Sequence, residues 1–277
     1  MSDPRRLVFC HCEKNGGTTL IRLFRSILGI RHVDLIPVDI RANEATIDDF
    51  DATLAAAPFA VTVAGHSLKP HIDYGPRSAK FTLLRDPVDR YLSEFKHDSE
   101  RRGFQGSLDD WMELRSRWNY QTKFIAGIRD LSQAKKVLEN NLEFFGFTDS
   151  YDEFLRLVGV NLGMAAFSSA SSAPQNKSRT SLELTEAQRA KAEERNGLDM
   201  ELLSFAQDLY RERLPEWMAR SAVEARNFRG FGEYGNILLR NLWYKPKLGM
   251  MPFEHHMLPV NAVNAQKAEA LGLASFD

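Results

Sequence analysis

The stretch from His11 to Leu20, His-Cys-Glu-Lys-Asn-Gly-Gly-Thr-Thr-Leu, constrains this chain more tightly than any other. Before it, Leu7-Val8-Phe9-Cys10 is a short apolar run of strand type; after it, Leu20, Ile21, Leu23, Phe24, Ile27 and Leu28 recur at helical spacing. The segment therefore reads strand, tight loop, helix. Two adjacent glycines let the backbone bend where a side chain would block it, and let a ligand approach the main chain closely. The unpaired N–H groups of a helix's first turn converge at the same spot, where the helix dipole adds about half a positive charge. Such a spot attracts an anion, most often phosphate. Lys14 brings a full charge to its rim, and Thr18 and Thr19 bring hydroxyl donors.

Order matters in a loop of this kind. A nucleotide-triphosphatase loop carries its lysine after the last glycine, whereas Lys14 precedes Gly16 and Gly17, which argues against a nucleotide kinase or triphosphatase. Two further strand ends are readable. Phe59 to Ala64 is a buried-strand candidate ending at Gly65-His66, and a histidine just past the carboxyl end of a strand sits where ligands bind in open parallel α/β sheets. A lone histidine is, however, more often structural than catalytic. Lys80 to Leu84 is another strand, followed directly by Arg85-Asp86-Pro87. Asp86 can cap the free amides and Pro87 suits the first helical position, so a helix is expected to about Lys96, with Asp89, Ser93 and Lys96 on one face.

These residues together resemble the sulfotransferases that use 3′-phosphoadenosine 5′-phosphosulfate (PAPS), particularly the carbohydrate 2-O-sulfotransferase-like branch. The family's 5′-phosphosulfate loop has the usual form His-x-Pro-Lys-Thr-Gly-Gly-Thr-Ser/Thr. Here Glu13 stands for the proline and Asn15 for the first threonine, and an acid beside the lysine works against anion binding. Leu84 to Ser93 closely resembles the family's 3′-phosphate motif, Leu-Arg-Asp-Pro-x-x-Arg-x-x-Ser. The resemblance implies that Lys14, Asn15, Gly16, Gly17, Thr18 and Thr19 hold the 5′ end of PAPS, and that Arg85 and Ser93 hold its 3′-phosphate. It also implies that Lys14 stabilises the leaving phosphate and that His66, in the family's Gly-His pair, is the general base. Asn119-Tyr120-Gln121-Thr122 resembles a segment near the acceptor side, although a capped amphipathic helix accounts for it equally well. Lys177, Ser178, Arg179 and Thr180, within a small polar stretch that composition reads as a mobile loop, correspond to a segment that covers the cofactor.

Composition bounds the rest. Among 277 residues, 36 lysines and arginines nearly balance 37 aspartates and glutamates, so no nucleic-acid partner is expected and any anion site is local. The only cysteines are Cys10 and Cys12, which excludes a disulfide framework and fits a reducing compartment. With no signal-peptide region and no apolar run of about twenty residues, a cytoplasmic protein without a membrane span is expected. Adjacent His255 and His256 find no third ligand, so no metal is expected. Residues 31 to 57 read as loop plus one short helix. Helices are expected from Leu108 through the 130s with breaks at Gly127 and Asp130, then a strand over Leu142 to Phe147 and a helix capped by Thr148 or Asp149. Leu182 to Arg195 and Leu198 to Leu214 follow as two more helices.

The expected architecture is one α/β domain over residues 1–215. Its short parallel β-sheet, with strands near residues 7, 60, 80 and 143, is flanked by helices in a P-loop-like nucleotide-binding (sulfotransferase) fold. Residues 216–277 are expected to be a helical or irregular extension packed on the same domain. The expected activity is sulfuryl transfer from PAPS to a hydroxyl-bearing acceptor, a carbohydrate or small alcohol. A non-catalytic nucleotide-binding module and a kinase-like P-loop protein are the alternatives.

Overall fold

Five strands, β1 (Arg6–Cys10), β2 (His32–Asp34), β3 (Thr62–Gly65), β4 (Ser78–Leu84) and β5 (Phe144–Phe147), form one all-parallel sheet in the order β2-β3-β1-β4-β5. The computed structural model describes residues 5–37, 39, 43–167 and 183–220, together with 235, 236, 239 and 242. β1 is buried along its length and apolar from Leu7 to Cys10, because parallel sheets are covered on both faces. In register across three strands, Phe9, Phe81 and Phe144 stack at 5.1 and 4.8 Å between centroids. Phe24 of helix α1 (Gly17–Leu28) and Phe154 of α7 (Tyr151–Leu162) close over this row, at 6.4 and 6.0 Å from Phe81.

The remaining helices are α2 (Ile47–Ala56), α3 (Pro87–Arg101), α4 (Leu108–Met112), α5 (Tyr120–Ala126), α6 (Leu131–Asn140), α8 (Glu186–Arg195) and α9 (Gly197–Ala219). Most of their starts are written locally. Asp86 caps α3 ahead of Pro87, Asp130 caps α6, and Thr46, Ser107 and Thr185 close capping boxes on α2, α4 and α8. A second, smaller core forms where α3, α4 and α8 meet, around Val88, Tyr91, Trp111 and Met112. Among the described residues, no helix is long and apolar enough to cross a membrane.

The structure departs from the sequence reading at several elements. β2 lies in the segment read as loop plus helix: His32 is fully buried, its Nδ1 meets Thr62 Oγ1 at 2.8 Å, and Asp34 takes two hydrogen bonds from Arg25 at 3.0 and 2.7 Å. β3 begins at Thr62, leaving Phe59 exposed in the preceding turn. A 3-10 turn, Thr148–Ser150, intervenes before α7, whose N-cap is Ser150 rather than Thr148 or Asp149. α8 starts at Glu186 behind its Thr185 box. α9 runs through Pro215 to Ala219, across the expected boundary, because Trp217 is buried against Phe145 and Tyr210 at 5.1 and 5.8 Å. That packing outweighs the hydrogen bond a proline removes from a helix. Further along, Asn236 Nδ2 donates to the Ser26 and Ile27 carbonyls at 2.8 and 3.0 Å, covering the carboxyl end of α1.

Candidate active site

Three adjacent strands deliver three loops to one end of the sheet. Residues 11–16 follow β1, His66 follows β3, and Arg85 follows β4, so all three leave from carboxyl ends on either side of β1. In the first loop Gly16 takes φ 75° as N-cap of α1, and Lys14 takes φ 67°, a conformation uncommon outside glycine. Gly17 is needed for space: a Cβ there would lie 2.2 Å from His11 Cδ2. Gly16 has no side chain to cap α1 and the first turn carries no acid. The amides of Gly16, Gly17 and Thr18 therefore find no acceptor among the described residues, which leaves a cluster of donors at the positive end of the helix. Gly16 and Thr18 are exposed.

Arg85 joins this loop to the second motif by donating from Nη1 to the Lys14 carbonyl at 2.9 Å. Behind it, buried Gln121 accepts at Oε1 from Asn15 Nδ2 (2.8 Å) and from the Arg85 amide (3.0 Å), and donates from Nε2 to the Arg85 carbonyl at 2.9 Å. Asn15 is itself buried and also donates to the Leu83 carbonyl at 2.7 Å. Its main-chain N–H is turned to the Cys12 carbonyl at 3.4 Å. Asn15 thus faces the interior rather than the anion, unlike its expected contact role. Asp199 of α9 completes the support, accepting from the Gln121 and Thr122 amides at 3.0 and 2.7 Å and so capping α5.

The histidine of the third loop is built onto the first. The His66 ring stacks on His11 at 4.0 Å, and His11 continues the aromatic row from Phe9 at 5.3 Å. His66 Nδ1 lies 3.1 Å from the His11 carbonyl, an acceptor only, so Nδ1 carries the proton and donates while Nε2 keeps its lone pair. Lys69 Nζ holds the His66 carbonyl at 2.9 Å. Desolvation lowers the His66 pKa, with the Glu13 charge opposing it, so the ring is neutral at pH 7. Burial lowers the His11 pKa much further, and the nearby His66 and Lys14 add to that shift.

Glu13, the departure that argued against an anion, is occupied elsewhere. Arg102 Nη2 approaches its carboxylate at 3.4 Å, while Lys14 forms no ion pair among the described residues. Partial burial is the largest influence on Lys14 and lowers its pKa. Among the described residues no three or more His, Cys, Asp or Glu side chains are arranged to hold a metal.

Comparison with known proteins decides the family. The profile described as the Sulfotransferase family matches residues 1–212. This chain belongs to the sulfotransferase family. Among similar curated sulfotransferases, heparan-sulfate 6-O-sulfotransferase 2 of Homo sapiens is 26% identical over 80% of this chain and 47% of its own length. Heparan-sulfate 6-O-sulfotransferase 3-B of Danio rerio is 27% identical over 79% of this chain and 67% of its own. The chain spans about half the length of the human relative. A sulfotransferase crystal structure from Alicyclobacillus acidocaldarius aligns with a TM-score of 0.47 at 12% identity, over 77% of this chain and 98% of that one.

Of the residues expected to form this sulfotransferase's site, the structure brings together the 14–19 loop, Arg85 and the support of His66. Ser93 lies on α3, half-buried, with no hydrogen bond among the described residues. Lys177, Ser178, Arg179 and Thr180 lie outside the described residues. Sequence reasoning assigned no role to His11 and placed Gln121 near the acceptor side. The available signal was His11's position two residues after Phe9, a core residue of β1: residues two apart share a strand face.

Proposed function

We propose that this chain transfers the sulfuryl group of PAPS to a hydroxyl of a carbohydrate acceptor and releases adenosine 3′,5′-bisphosphate. The observation that carries this reading is the junction of two cationic loops. An uncapped helix N-terminus bearing Lys14 is tied through Arg85 and Gln121 to the turn that opens α3, as suits a nucleotide with anionic groups at both ends. Open amides at Gly16, Gly17 and Thr18, a cradle at Gly17 that a Cβ would fill, and the cations Lys14 and Arg85 fit such a ligand. Family membership and relatives named for heparan sulfate support the reaction and the carbohydrate class.

PAPS, when bound, supplies an activated sulfuryl group on a phosphate leaving group. Lys14 and the first-turn amides hold the 5′ end and offset the negative charge that grows on the leaving oxygen, a preorganised electrostatic effect. Arg85 and Ser93 hold the 3′-phosphate through charge-assisted and hydroxyl hydrogen bonds. His66 removes the acceptor's proton at Nε2, the nitrogen left free by the His11 carbonyl. Positioning and charge neutralisation dominate, as they do in phosphoryl transfer.

Calorimetry with adenosine 3′,5′-bisphosphate and AMP tests the ligand assignment. The bisphosphate should bind clearly tighter, and Arg85→Ala should cost it about 1.5–3 kcal/mol, the range for a lost hydrogen bond to a charged group. Equal affinities for the two nucleotides would remove the assignment.

A further inference from the structure

We infer that Gln121 is a positioning residue that sets the spacing between the two anion-binding loops and thereby selects a nucleotide phosphorylated at both ends. The inference rests on the proposed assignment of those loops to a 5′- and a 3′-phosphate. Gln121 is buried and holds both loops by hydrogen bonds to Asn15 and to the Arg85 main chain. Its Oε1 receives Asn15 Nδ2 from the first loop at 2.8 Å and the Arg85 amide from the second at 3.0 Å, while Nε2 returns to the Arg85 carbonyl at 2.9 Å.

Only one orientation of the amide satisfies this set, since two donors demand the oxygen and one carbonyl demands the nitrogen. The residue is 2% exposed, so water cannot replace a lost partner cheaply. Its own main chain is pinned by Asp199 Oδ2 at 3.0 Å, and the next residue by Asp199 Oδ1, which receives the Thr122 amide and hydroxyl at 2.7 Å each. Asn15 also grips the Leu83 carbonyl at 2.7 Å, and Arg85 grips the Lys14 carbonyl at 2.9 Å, so both loops are referenced to the end of β4.

A rigid spacing matters only to a ligand that engages both loops at once. Such a ligand gains from preorganisation because the second contact needs no further ordering. A ligand with one phosphate is nearly indifferent to where the other loop sits. Loss of Gln121 should therefore weaken two-ended ligands selectively, whereas a merely structural role would weaken all ligands alike or lower the melting temperature alone.

The test is calorimetry on the full chain with adenosine 3′,5′-bisphosphate, 5′-AMP and 3′-AMP, comparing wild type with Gln121→Met, which keeps length and volume. Bisphosphate affinity should fall about tenfold, the change expected from one buried hydrogen bond of ordinary strength, with each monophosphate changing by less than about threefold. Asn15→Ala breaks the same link from its other end and serves if Gln121→Met does not fold. In the double variant, the loss of bisphosphate affinity should not exceed that of the worse single variant. Equal loss across the three ligands, or no loss for the bisphosphate, would overturn the inference while leaving the loop assignment intact. A wild-type chain that bound none of the three would overturn both.

Discussion

Replacing Gly17 by alanine should disturb the site without touching a charge. The new methyl would sit 2.2 Å from His11 Cδ2 and 2.3 Å from its Nε2, more than ~1 Å inside ordinary van der Waals contact. The ring has little room to retreat, because it is buried and held between Phe9 and His66 at 5.3 and 4.0 Å. Overpacking of this kind costs about 1–3 kcal/mol, and so severe an overlap belongs at the upper end. Alanine returns up to about 1 kcal/mol through better helix propensity, leaving a net loss of about 2 kcal/mol. For a chain of this size that corresponds to a melting temperature lower by about 4–8 °C. Calorimetric melting of Gly17→Ala, His11→Ala and the double variant measures it. Truncating His11 removes the clash while the helix-propensity gain remains, so the double variant should be more stable than the two single losses added together, by about 3 kcal/mol. Strict additivity, or a Gly17→Ala protein as stable as wild type, would refute the claim that His11 is wedged against the loop.

His66→Asn should keep adenosine 3′,5′-bisphosphate affinity while losing roughly 10²–10⁴-fold in turnover, and retained turnover would send the base assignment elsewhere. Because the His66 pKa lies below the ordinary 6.5, the acid limb of the wild-type kcat profile should be centred below that value; a limb centred above it contradicts the desolvated environment. His11→Phe should make stability less acid-sensitive than wild type. A folded pKa below the unfolded value means that the unfolded chain takes up more protons, so His11 contributes stability above about pH 6.5 that is lost as pH falls, at up to about 1.4 kcal/mol per pH unit. Denaturant titrations from pH 7 to 5 would expose parallel slopes if His11 were not held neutral.

The elements that could be read directly are those whose signal is local. The β1–loop–α1 unit is written in consecutive residues, apolar run, Gly16-Gly17 and helical periodicity, and the start of α3 is spelled by Asp86-Pro87. β2 escaped because its three residues, His32-Val33-Asp34, show no apolar alternation; their strand character comes from pairing with Thr62, Val63 and Ala64. Pro215 read as a stop because the aromatic cluster that carries α9 past it is assembled from distant β5. Lys14 at positive φ was equally hidden, since the contact holding its carbonyl comes from Arg85. Within the site, Lys14, His66 and Arg85 were visible as residue types at strand ends. The links among them through Gln121, Asn15 and His11 depend on which strands are neighbours, and no single window of sequence contains that information.

The most direct measurement is transfer of labelled sulfuryl from PAPS to heparan sulfate, other polysaccharides and simple alcohols by the full chain, with Lys14→Ala as the control. Label should appear on a carbohydrate hydroxyl with stoichiometric release of adenosine 3′,5′-bisphosphate, and Lys14→Ala should lower kcat more than it weakens nucleotide binding. Nucleotide binding with no label on any acceptor, or magnesium-dependent transfer of the γ-phosphate of ATP in its place, would contradict the account.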